Sequence, residues 1–380
     1  MPDINVLSPK WVENVQKASA GSLPSGDDSS IDSFLVSWNN FKNLLNKSVT
    51  AGSVFSNPII STYSLLNTTQ YGYLGGILAS NGDLHYVPCF ANRGQKIDKN
   101  GVVSTYSLVY TNTSGAYAGG VLAPNGDVHF IPYAIANRGQ KIDKNGVVST
   151  YSLAYTSTSA AHTGGVLASN GDIHFVPRAS PVGQKISSAG VVSTYSLIYT
   201  NSSIAYVGGI LAPNGDVHFI PFYAPVGQKI NSSGVVSTYS LVYTNTSGGY
   251  VGGVLSPNGD IHFIPWAATV GQKINSNGVV STYSLVYTNP QSCYGGVLSP
   301  NGDIHFVPYS ASVGQKISSS GVVSTYSLVY TATSAHTGGV LTSSGDIYFI
   351  GLVNAITQKL STSYLPFDIG TCCSSFLNKL

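Results

Sequence analysis

Charged residues are scarce in this sequence. Asp, Glu, Lys and Arg make up 8% of its 380 residues, against roughly 25% in an average soluble domain. The formal net charge is +2, so no strong field attracts nucleic acid or an anionic membrane surface. Glu13 is the only glutamate. The sequence therefore offers no distinctive pair of carboxylates, which glycoside hydrolysis normally requires.

Long apolar segments are also missing. No apolar run approaches the roughly 20 residues that a membrane helix needs, so no membrane partner is expected. The first residues, MPDINVLSPKWVENVQ, lack a basic start followed by an apolar stretch, and we predict no secretory signal. The cysteines, which follow neither a metal-site spacing nor a disulfide framework, are Cys89, Cys293, Cys372 and Cys373. Reduced thiols in an intracellular protein are therefore expected.

Internal repetition is the strongest positive signal. The motif Gly-Gly-[Val/Ile]-Leu recurs every 43 to 45 residues. Its seven copies begin at Gly75, Gly119, Gly164, Gly208, Gly252, Gly295 and Gly338. The segment ANRGQKIDKNGVVSTYSL occurs at 91–108 and again, unchanged, at 136–153, which indicates recent internal duplication.

Each repeat has the pattern of four short strands, which we label a to d. In the fourth repeat the apolar stretches are VGGIL, DVHFIP, GQKI and VVSTYSLVY, and a turn containing Asn214-Gly215 separates the first two. Asn-Gly is a strong hairpin signal because both residues tolerate positive φ. Four strands in about 44 residues are the size of a propeller blade. The Gly-Gly pair predicts that strand a is innermost, where strands crowd the axis.

The strand count predicts how the ring closes. Strands a, b and c occur seven times, but no VVSTYSLVY segment follows the last set at 338–360. A matching segment stands before the first set, at 58–66. We therefore predict an all-β, seven-bladed β-propeller of four-stranded blades. Residues 59–66 complete the last blade, so that no open edge remains between the last blade and the first.

The remaining residues flank the repeats. We assign 1–57 to an N-terminal extension, 58–362 to the propeller and 363–380 to a C-terminal tail. Apolar residues at helical spacing predict a short amphipathic helix over 31–45 of the extension, capped within 27–30. This helix either packs on the propeller or serves as an oligomerisation or docking element.

Three polar positions also repeat. A histidine occupies one position of strand b in six repeats, with Tyr348 in the seventh. Neighbouring blades hold such histidines too far apart to share one metal ion, so we predict half-buried rings bonded to a neighbouring blade's hydroxyl or to a turn carboxylate. The Asn-Gly-Asp aspartates are expected to cap turns, because a calcium site needs several carboxylates together. The GQKI lysines are expected to cover apolar surface rather than form an anion-binding ring.

Catalytic signals are weak. No Gly-x-Ser-x-Gly elbow occurs, and the near-identical repeats single out no acid, base or nucleophile. Serine, histidine and aspartate are so frequent that a catalytic triad stays an open alternative. We nevertheless expect that the chain is not an enzyme and that it uses no metal or other cofactor.

Sequence variation is concentrated in the d–a and b–c connections, which emerge on the same face of a propeller. Directly after the strand-b proline, this face carries Tyr133, Arg178, Phe222, Trp266 and Tyr309. Two residues before Gly-Gly it carries Tyr117, His162, Tyr206, Tyr250 and His336. Aromatic residues and arginine dominate binding hot spots, so we predict a partner-binding site from these residues. The alternative is that they pack beneath the loops.

The repeat GG[VI]L-x-[PS]-NGD-[VI]-H-[FY]-[VI]-P, followed by GQKI and GVVSTYSL, covers residues 58–360. It resembles propeller-type repeat proteins of amoeba-infecting giant DNA viruses. It lacks the Trp-Asp signature of WD40 blades and the kelch pattern, so the partners of those families are not carried over. The resemblance implies a propeller fold and a viral origin, with the protein in the host cytoplasm or the virion. It implies no activity.

The leading functional prediction is a non-catalytic interaction or scaffold protein that binds a macromolecule, with protein as the first partner class. The alternative is a lectin-like propeller whose similar blades offer several equivalent carbohydrate sites. A third, weaker alternative is association with nucleic acid through the basic residues of the first two repeats, which are Arg93, Lys96, Lys99, Arg138, Lys141 and Lys144.

Overall fold

A computed structural model describes residues 58–112, 114–157, 159–352 and 356–361. Within these ranges the chain forms 28 strands and no helix. The strands make seven four-stranded antiparallel sheets. The predicted all-β, seven-bladed β-propeller is therefore confirmed. The helix predicted over 31–45 and the tail at 363–380 lie outside the described residues.

The strands follow one another from a to d in blades 1 to 6, and the last blade takes its strand d from the start of the propeller. Blade 1 contains β2 (Tyr73–Leu78), β3 (Leu84–Pro88), β4 (Arg93–Ile97) and β5 (Val103–Ser107), and blade 2 contains β6 (Tyr117–Leu122), β7 (Val128–Pro132), β8 (Arg138–Ile142) and β9 (Val148–Ser152). Blade 3 contains β10 (His162–Leu167), β11 (Ile173–Pro177), β12 (Val182–Ile186) and β13 (Val192–Ser196), and blade 4 contains β14 (Tyr206–Leu211), β15 (Val217–Pro221), β16 (Val226–Ile230) and β17 (Val236–Ser240). Blade 5 contains β18 (Tyr250–Leu255), β19 (Ile261–Pro265), β20 (Val270–Ile274) and β21 (Val280–Ser284), and blade 6 contains β22 (Cys293–Leu298), β23 (Ile304–Pro308), β24 (Val313–Ile317) and β25 (Val323–Ser327). Blade 7 contains β26 (His336–Leu341), β27 (Asp346–Gly351), β28 (Ile356–Ser361) and β1 (Ile59–Ser64).

Glycine lets the seven strands a meet at the axis. Strand a of each blade lies against strand a of the next, and β26 lies against β2 in the same way. A Cβ atom added to Gly119 would stand 2.6 Å from the Cα atom of Gly164, and one added to Gly208 would stand 2.7 Å from that of Gly252. The φ angles of Gly119 and Gly208 are 73° and 78°, which side chains disfavour. The predicted innermost position of strand a is therefore confirmed.

The hydrophobic core lies in layers between neighbouring blades. Between blades 3 and 4, for example, Val166 and Val176 pack against Tyr206 and Phe219. The second glycine of the Gly-Gly pair makes room for this layer, since a Cβ atom on Gly209 would stand 2.7 Å from Cγ2 of Val166. Strand b is buried at every position in all seven blades, because a neighbouring blade covers each of its faces.

A second contact that depends on glycine crosses each of the first six blades. In blade 4 the ring of Tyr239, on strand d, lies over Gly227 of strand c, where an added Cβ atom would stand 2.1 Å from the ring. Beyond the glycine, the phenol oxygen is 3.3 Å from Nδ1 of His218 on strand b. Blades 1, 3, 5 and 6 repeat this bond. Five of the six histidines thus bond a hydroxyl, as expected, but it belongs to their own blade rather than to a neighbour; in blade 2, Nδ1 of His129 bonds no described residue.

The turn aspartates and the GQKI lysines pair within each blade. In all seven blades the lysine Nζ lies 2.6 to 2.9 Å from Oδ2 of the aspartate that ends the a–b turn. In blades 1 to 6 the backbone N–H of that aspartate also donates to the asparagine side chain two residues earlier. The aspartates therefore belong to the turn, as expected. The lysines were predicted to cover apolar surface. Their observed role is instead to neutralise the largely buried carboxylate of the turn aspartate, which would be costly to bury alone.

The GQKI glutamine joins consecutive blades. Gln140 of blade 2 is fully buried, and its Oε1 atom accepts hydrogen bonds from the backbone N–H groups of Val109 (3.0 Å) and Tyr110 (2.8 Å). These two residues follow strand d of blade 1. The equivalent glutamine makes at least one such bond in every blade. Each blade therefore holds the start of the preceding blade's d–a loop.

Strand β1 closes the ring, as predicted. It pairs antiparallel with β28 over its whole length. The phenol of Tyr63 donates to the carbonyl of Phe349 at 2.6 Å, and its oxygen lies 2.8 Å from the phenol oxygen of Tyr86 in blade 1. Leu65 packs in the layer between blades 7 and 1. The N-terminal strand is therefore part of the core as well as of the sheet.

Removing residues 1–66 should destabilise the propeller far more than removing residues 1–57. The longer deletion takes away β1, Tyr63 and Leu65, and it leaves β28 as an open edge that can pair with another chain. The shorter deletion keeps β1. We expect aggregation, strand exchange or a much lower melting temperature for the longer deletion only. Thermal melts and size-exclusion chromatography measure this, and equal stability of the two proteins would contradict closure by β1.

Gln140→Leu should lower the free energy of unfolding by about 2 kcal/mol, because two backbone N–H groups lose their buried acceptor. The control is Val109→Ala in the loop that Gln140 holds. The Val109 side chain is 61% exposed, so its truncation should change stability by less than about 0.5 kcal/mol. Urea denaturation compares the two variants. Equal effects would mean that the glutamine contact adds no stability.

Candidate functional site

A ring of backbone hydrogen bonds joins the loops at one face. We call this the loop face; it is formed by the b–c and d–a connections. In blade 3 the N–H of Arg178 donates to the carbonyl of Ala161 (2.8 Å), and the carbonyl of Arg178 accepts from Ala205 of the next blade (2.6 Å). The pattern continues from blade to blade and closes where the N–H of Tyr71 donates to Leu352 at 2.9 Å. The backbone thus spaces one residue per blade regularly around the axis.

The residues spaced in this way surround the mouth of the axis. They follow the strand-b proline, or Gly351 in blade 7, and we call them the mouth residues: Cys89, Tyr133, Arg178, Phe222, Trp266, Tyr309 and Leu352. Four of them are partly exposed, namely Tyr133, Arg178, Trp266 and Tyr309. Phe222 is 8% exposed, and the other two are more deeply buried. The first set of predicted site residues therefore lies together on one face, with its largest side chains at the surface.

Neighbouring mouth residues contact one another. The ring centroid of Trp266 lies 6.3 Å from that of Phe222 and 5.2 Å from that of Tyr309. These three residues form an aromatic arc over blades 4, 5 and 6. Across the mouth, the guanidinium carbon of Arg178 lies 5.6 Å from the ring centroid of Tyr133. The cation–π pair of blades 2 and 3 and the aromatic arc are the two halves of the candidate site.

Tyr294 packs against the aromatic arc, and the sequence analysis missed it. It stands just before Gly-Gly in blade 6, where the other six blades have Leu, Ala, Thr or Val. Its ring centroid lies 5.7 Å from those of Trp266 and Tyr309. Burial raises the pKa of its phenol to about 12. Its size relative to the equivalent residues was the signal that could have identified it.

Arg178 forms no ion pair within the described part of the chain. Among the residues that the structure describes, every ion pair joins a strand-c lysine to the aspartate of the a–b turn at the opposite face. The aspartates between 58 and 361 all lie in a–b or c–d turns or begin the strand after one, so the described part of the loop face carries arginines and no carboxylate. A guanidinium without a counter-charge can bind a carboxylate or a carbonyl of an incoming group. The site is therefore aromatic with one free positive charge.

The second predicted set lies beneath the loop face. Its members are each at most 1% exposed, and they are Tyr117, His162, Tyr206, Tyr250 and His336. The three tyrosine phenols donate to the backbone carbonyl that begins strand c. All five rings pack against a phenylalanine of strand b. The prediction that these residues contact a partner directly is therefore wrong, because the first position of strand a points into the layer between two blades.

The basic residues of the first two repeats do not form one surface. Lys96 and Lys141 are paired with Asp83 and Asp127. The two arginines, at 93 and 138, begin strand c near the loop face, whereas the remaining two lysines, at 99 and 144, lie in c–d turns at the opposite face. A nucleic-acid site normally gathers its positive charges on one face. The arrangement therefore disfavours the nucleic-acid alternative.

The described residues form no metal centre and contain no reactive thiol. Within the described ranges, no group of three or more His, Cys, Asp or Glu side chains is placed to hold a metal ion. Cys89 and Cys293 are buried and unpaired, and burial raises the pKa of each thiol to about 12, so neither is a reactive thiolate at neutral pH. The other two cysteines lie outside the described residues. No described helix is long and apolar enough to span a membrane.

Comparison with known proteins places the fold among β-propellers. No protein-family model and no curated protein matches the chain. A streptogramin B lyase has a similar structure, with a TM-score of 0.70 at 20% identity, and the match covers 81% of this chain and 99% of that one. Virginiamycin B lyase from Staphylococcus aureus has a TM-score of 0.69 at 20% identity, and the match covers 80% of this chain and 99% of that one. The WD40 propeller domain of Doa1 has a TM-score of 0.62 at 13% identity, and the match covers 81% of this chain and 97% of that one. At these identities the likeness establishes the fold alone.

The two lyases overturn the expectation that this chain is not an enzyme. The same seven-bladed scaffold carries a catalytic activity in those proteins. A missing Gly-x-Ser-x-Gly elbow and near-identical blades therefore do not exclude catalysis. The repeated strands build the scaffold, whereas function resides in the side chains placed on it. At the mouth of the axis these side chains differ from blade to blade.

Acid should destabilise the protein through its histidines. Burial lowers the pKa of all eight, to about 3 for His162 and to about 4 for the others. In the unfolded chain the same rings bind protons near pH 6.5. Between about pH 6.5 and 4 the unfolded state therefore binds more protons than the folded state. The free energy of unfolding contributed by the histidines is full above this window and is lost as pH falls through it.

The variant His218→Tyr should reduce by about one the number of protons taken up on unfolding in acid. The free energy of unfolding should therefore depend less on pH, by about 1.4 kcal/mol per pH unit where the dependence is steepest. Blade 7 has Tyr348 at the equivalent position, so the fold accommodates the side chain. Ser233→Ala, in an exposed turn of the same blade, is the control and should leave the slope unchanged. Urea denaturation at a series of pH values measures the slopes. An unchanged slope for His218→Tyr would contradict the linkage.

Proposed function

We propose that the protein binds a macromolecular partner, another protein in the first instance, through the mouth of its loop face. The observation that carries the proposal is the aromatic arc of Phe222, Trp266 and Tyr309, which shares the loop face with the cation–π pair of Arg178 and Tyr133. This is the part of the propeller where the blades differ most from one another.

The composition of the mouth fits a binding hot spot. Tryptophan, tyrosine and arginine are the residues that most often carry binding energy at interfaces. Trp266 is the only tryptophan between residues 58 and 361, and it stands at the centre of the arc, partly exposed. Its ring is already held by neighbours on both sides. Little side-chain entropy is therefore lost when a partner covers it.

Charge favours an acidic partner surface. Arg93, Arg138 and Arg178 lie on the loop face, and the carboxylates between 58 and 361 lie in the turns of the opposite face. A complementary surface would place carboxylates around an apolar or aromatic group that packs on the arc. Such pairing raises the association rate and makes it sensitive to salt. The several equivalent sugar sites of the lectin alternative are not supported at this face, because the mouth residues differ from blade to blade.

Trp266→Ala and Tyr309→Ala should each weaken partner binding by about 2 kcal/mol or more, because each removes a large ring from the centre of the interface. Partners captured by the wild-type protein and lost by the double variant would be identified by mass spectrometry. Their dissociation constants would then be measured by calorimetry.

Arg178→Met should weaken binding less at high salt than at low salt, because the lost interaction is electrostatic.

Two controls separate the mouth from the rest of the surface. Val286→Ala truncates a side chain that is 60% exposed just after strand d of blade 5, and Ser320→Ala changes an exposed turn on the opposite face. Both should bind as the wild type does. A partner that binds the mouth variants normally but loses affinity for Ser320→Ala would place the site on the wrong face.

A further inference from the structure

A cavity opens between blades 5 and 6 at the face opposite the loop face. We call this the turn face, because the a–b and c–d turns form it. The cavity has a volume of about 100 Å³. Blade 5 lines it with Asp260, His262, Lys273 and Tyr283, and blade 6 lines it with turn residues that include Ser319. The residues involved are separate from those of the loop face.

Two polar atoms of largely buried residues are open to this cavity and bond no described residue. Asp260 and His262 are each 7% exposed. Oδ2 of Asp260 accepts from Nζ of Lys273 at 2.7 Å, but Oδ1 makes no hydrogen bond within the described residues. Nδ1 of His262 lies 3.3 Å from the phenol oxygen of Tyr283, and Nε2 has no partner among the same residues. Since both residues line the cavity, these two atoms are available to a polar guest that enters it.

The equivalent cavity between blades 3 and 4 differs in both respects. It is lined by Asp172, His174 and Lys185, but its volume is about 20 Å³, which holds about one water molecule. In addition, Oδ1 of Asp172 accepts a hydrogen bond from the N–H of Ser188 at 3.0 Å. Of these two cavities, only the one between blades 5 and 6 combines space with a free acceptor.

The charges around the larger cavity cancel. Lys273 neutralises Asp260, and burial lowers the pKa of His262 to about 4, so its ring is neutral at pH 7. Nε2 is a donor in one tautomer and an acceptor in the other. A neutral site with adjacent hydrogen-bonding atoms favours a neutral, hydroxylated ligand over a metal cation or an anion. The volume is about five times that of the smaller cavity, enough for two neighbouring hydroxyl groups and the carbons that bear them.

We propose that this cavity binds the edge of a neutral sugar or polyol. One hydroxyl donates to Oδ1 of Asp260, and its neighbour bonds Nε2 of His262. The rest of the ligand remains outside, at the open side of the cavity. Because the turn face and the loop face lie at opposite ends of the axis, this site is independent of the partner site proposed above, and both can be occupied together.

Ser319→Lys fills the cavity and tests the proposal. Blades 1 and 2 carry Lys99 and Lys144 at the equivalent turn position, so the fold accommodates a lysine there. Ser320→Lys is the matched control, since it adds the same charge to the same turn at a residue that does not line the cavity. Ser232→Lys makes the equivalent change at the smaller cavity.

Saturation-transfer NMR of the full chain would measure the binding of the methyl glycosides of glucose, galactose, mannose, fucose and N-acetylglucosamine. We expect at least one of them to bind with a millimolar dissociation constant. Ser319→Lys should weaken that binding at least about tenfold, while Ser320→Lys and Ser232→Lys should stay within about twofold of the wild type. Failure of all five sugars to bind, or an equal loss in the Ser320→Lys control, overturns the proposal.

Discussion

The close approach of seven strands around one axis is the constraint on which the rest of this structure depends. Backbone meets backbone there, as between Gly119 and Gly164, so no side chain fits. The apolar side chains must then fill the layers between blades. Strand b is consequently buried on both faces, and the larger polar side chains of strands b, c and d need internal partners. The glycine pair therefore determines where the core lies and which positions remain at the surface.

The repeated polar residues provide the internal partners that this packing requires. The GQKI glutamine ties each blade to the loop of the preceding one, the lysine neutralises the turn aspartate, and the strand-d tyrosine crosses a glycine to reach the histidine. A change at one of these positions leaves a buried group without its partner. This explains why blades that differ at their loops are nearly identical in their strands. Such residues stabilise the scaffold. Asp260 differs because its Oδ1 atom makes no hydrogen bond with described residues and because the residue lines the cavity between blades 5 and 6.

The departures from the repeat are concentrated on the loop face. Streptogramin B lyase and the WD40 domain of Doa1 share the fold at 20% and 13% identity, so the scaffold alone does not choose between catalysis and binding. The blades present different residues at the mouth of the axis. Here Trp266 and Tyr309 contact each other in one arc, and Arg178 forms no ion pair with the residues that the structure describes. Both features concern single blades rather than all seven.

The sequence by itself determined the number of blades, the four strands in each, and the closure by a strand within residues 59–66, which the structure forms over 59–64. It could do so because strand alternation, Asn-Gly turns and the Gly-Gly motif act locally and recur with a fixed period. Only the tertiary structure decided which variable residues are exposed. Tyr117 and Tyr133 both stand in variable loops in the sequence, yet Tyr117 is fully buried and Tyr133 reaches the surface. The Tyr294 ring contacts those of Trp266 and Tyr309, which lie in other loops. The physical reason is that exposure and cross-ring contacts depend on how neighbouring blades pack, and no local pattern encodes that geometry.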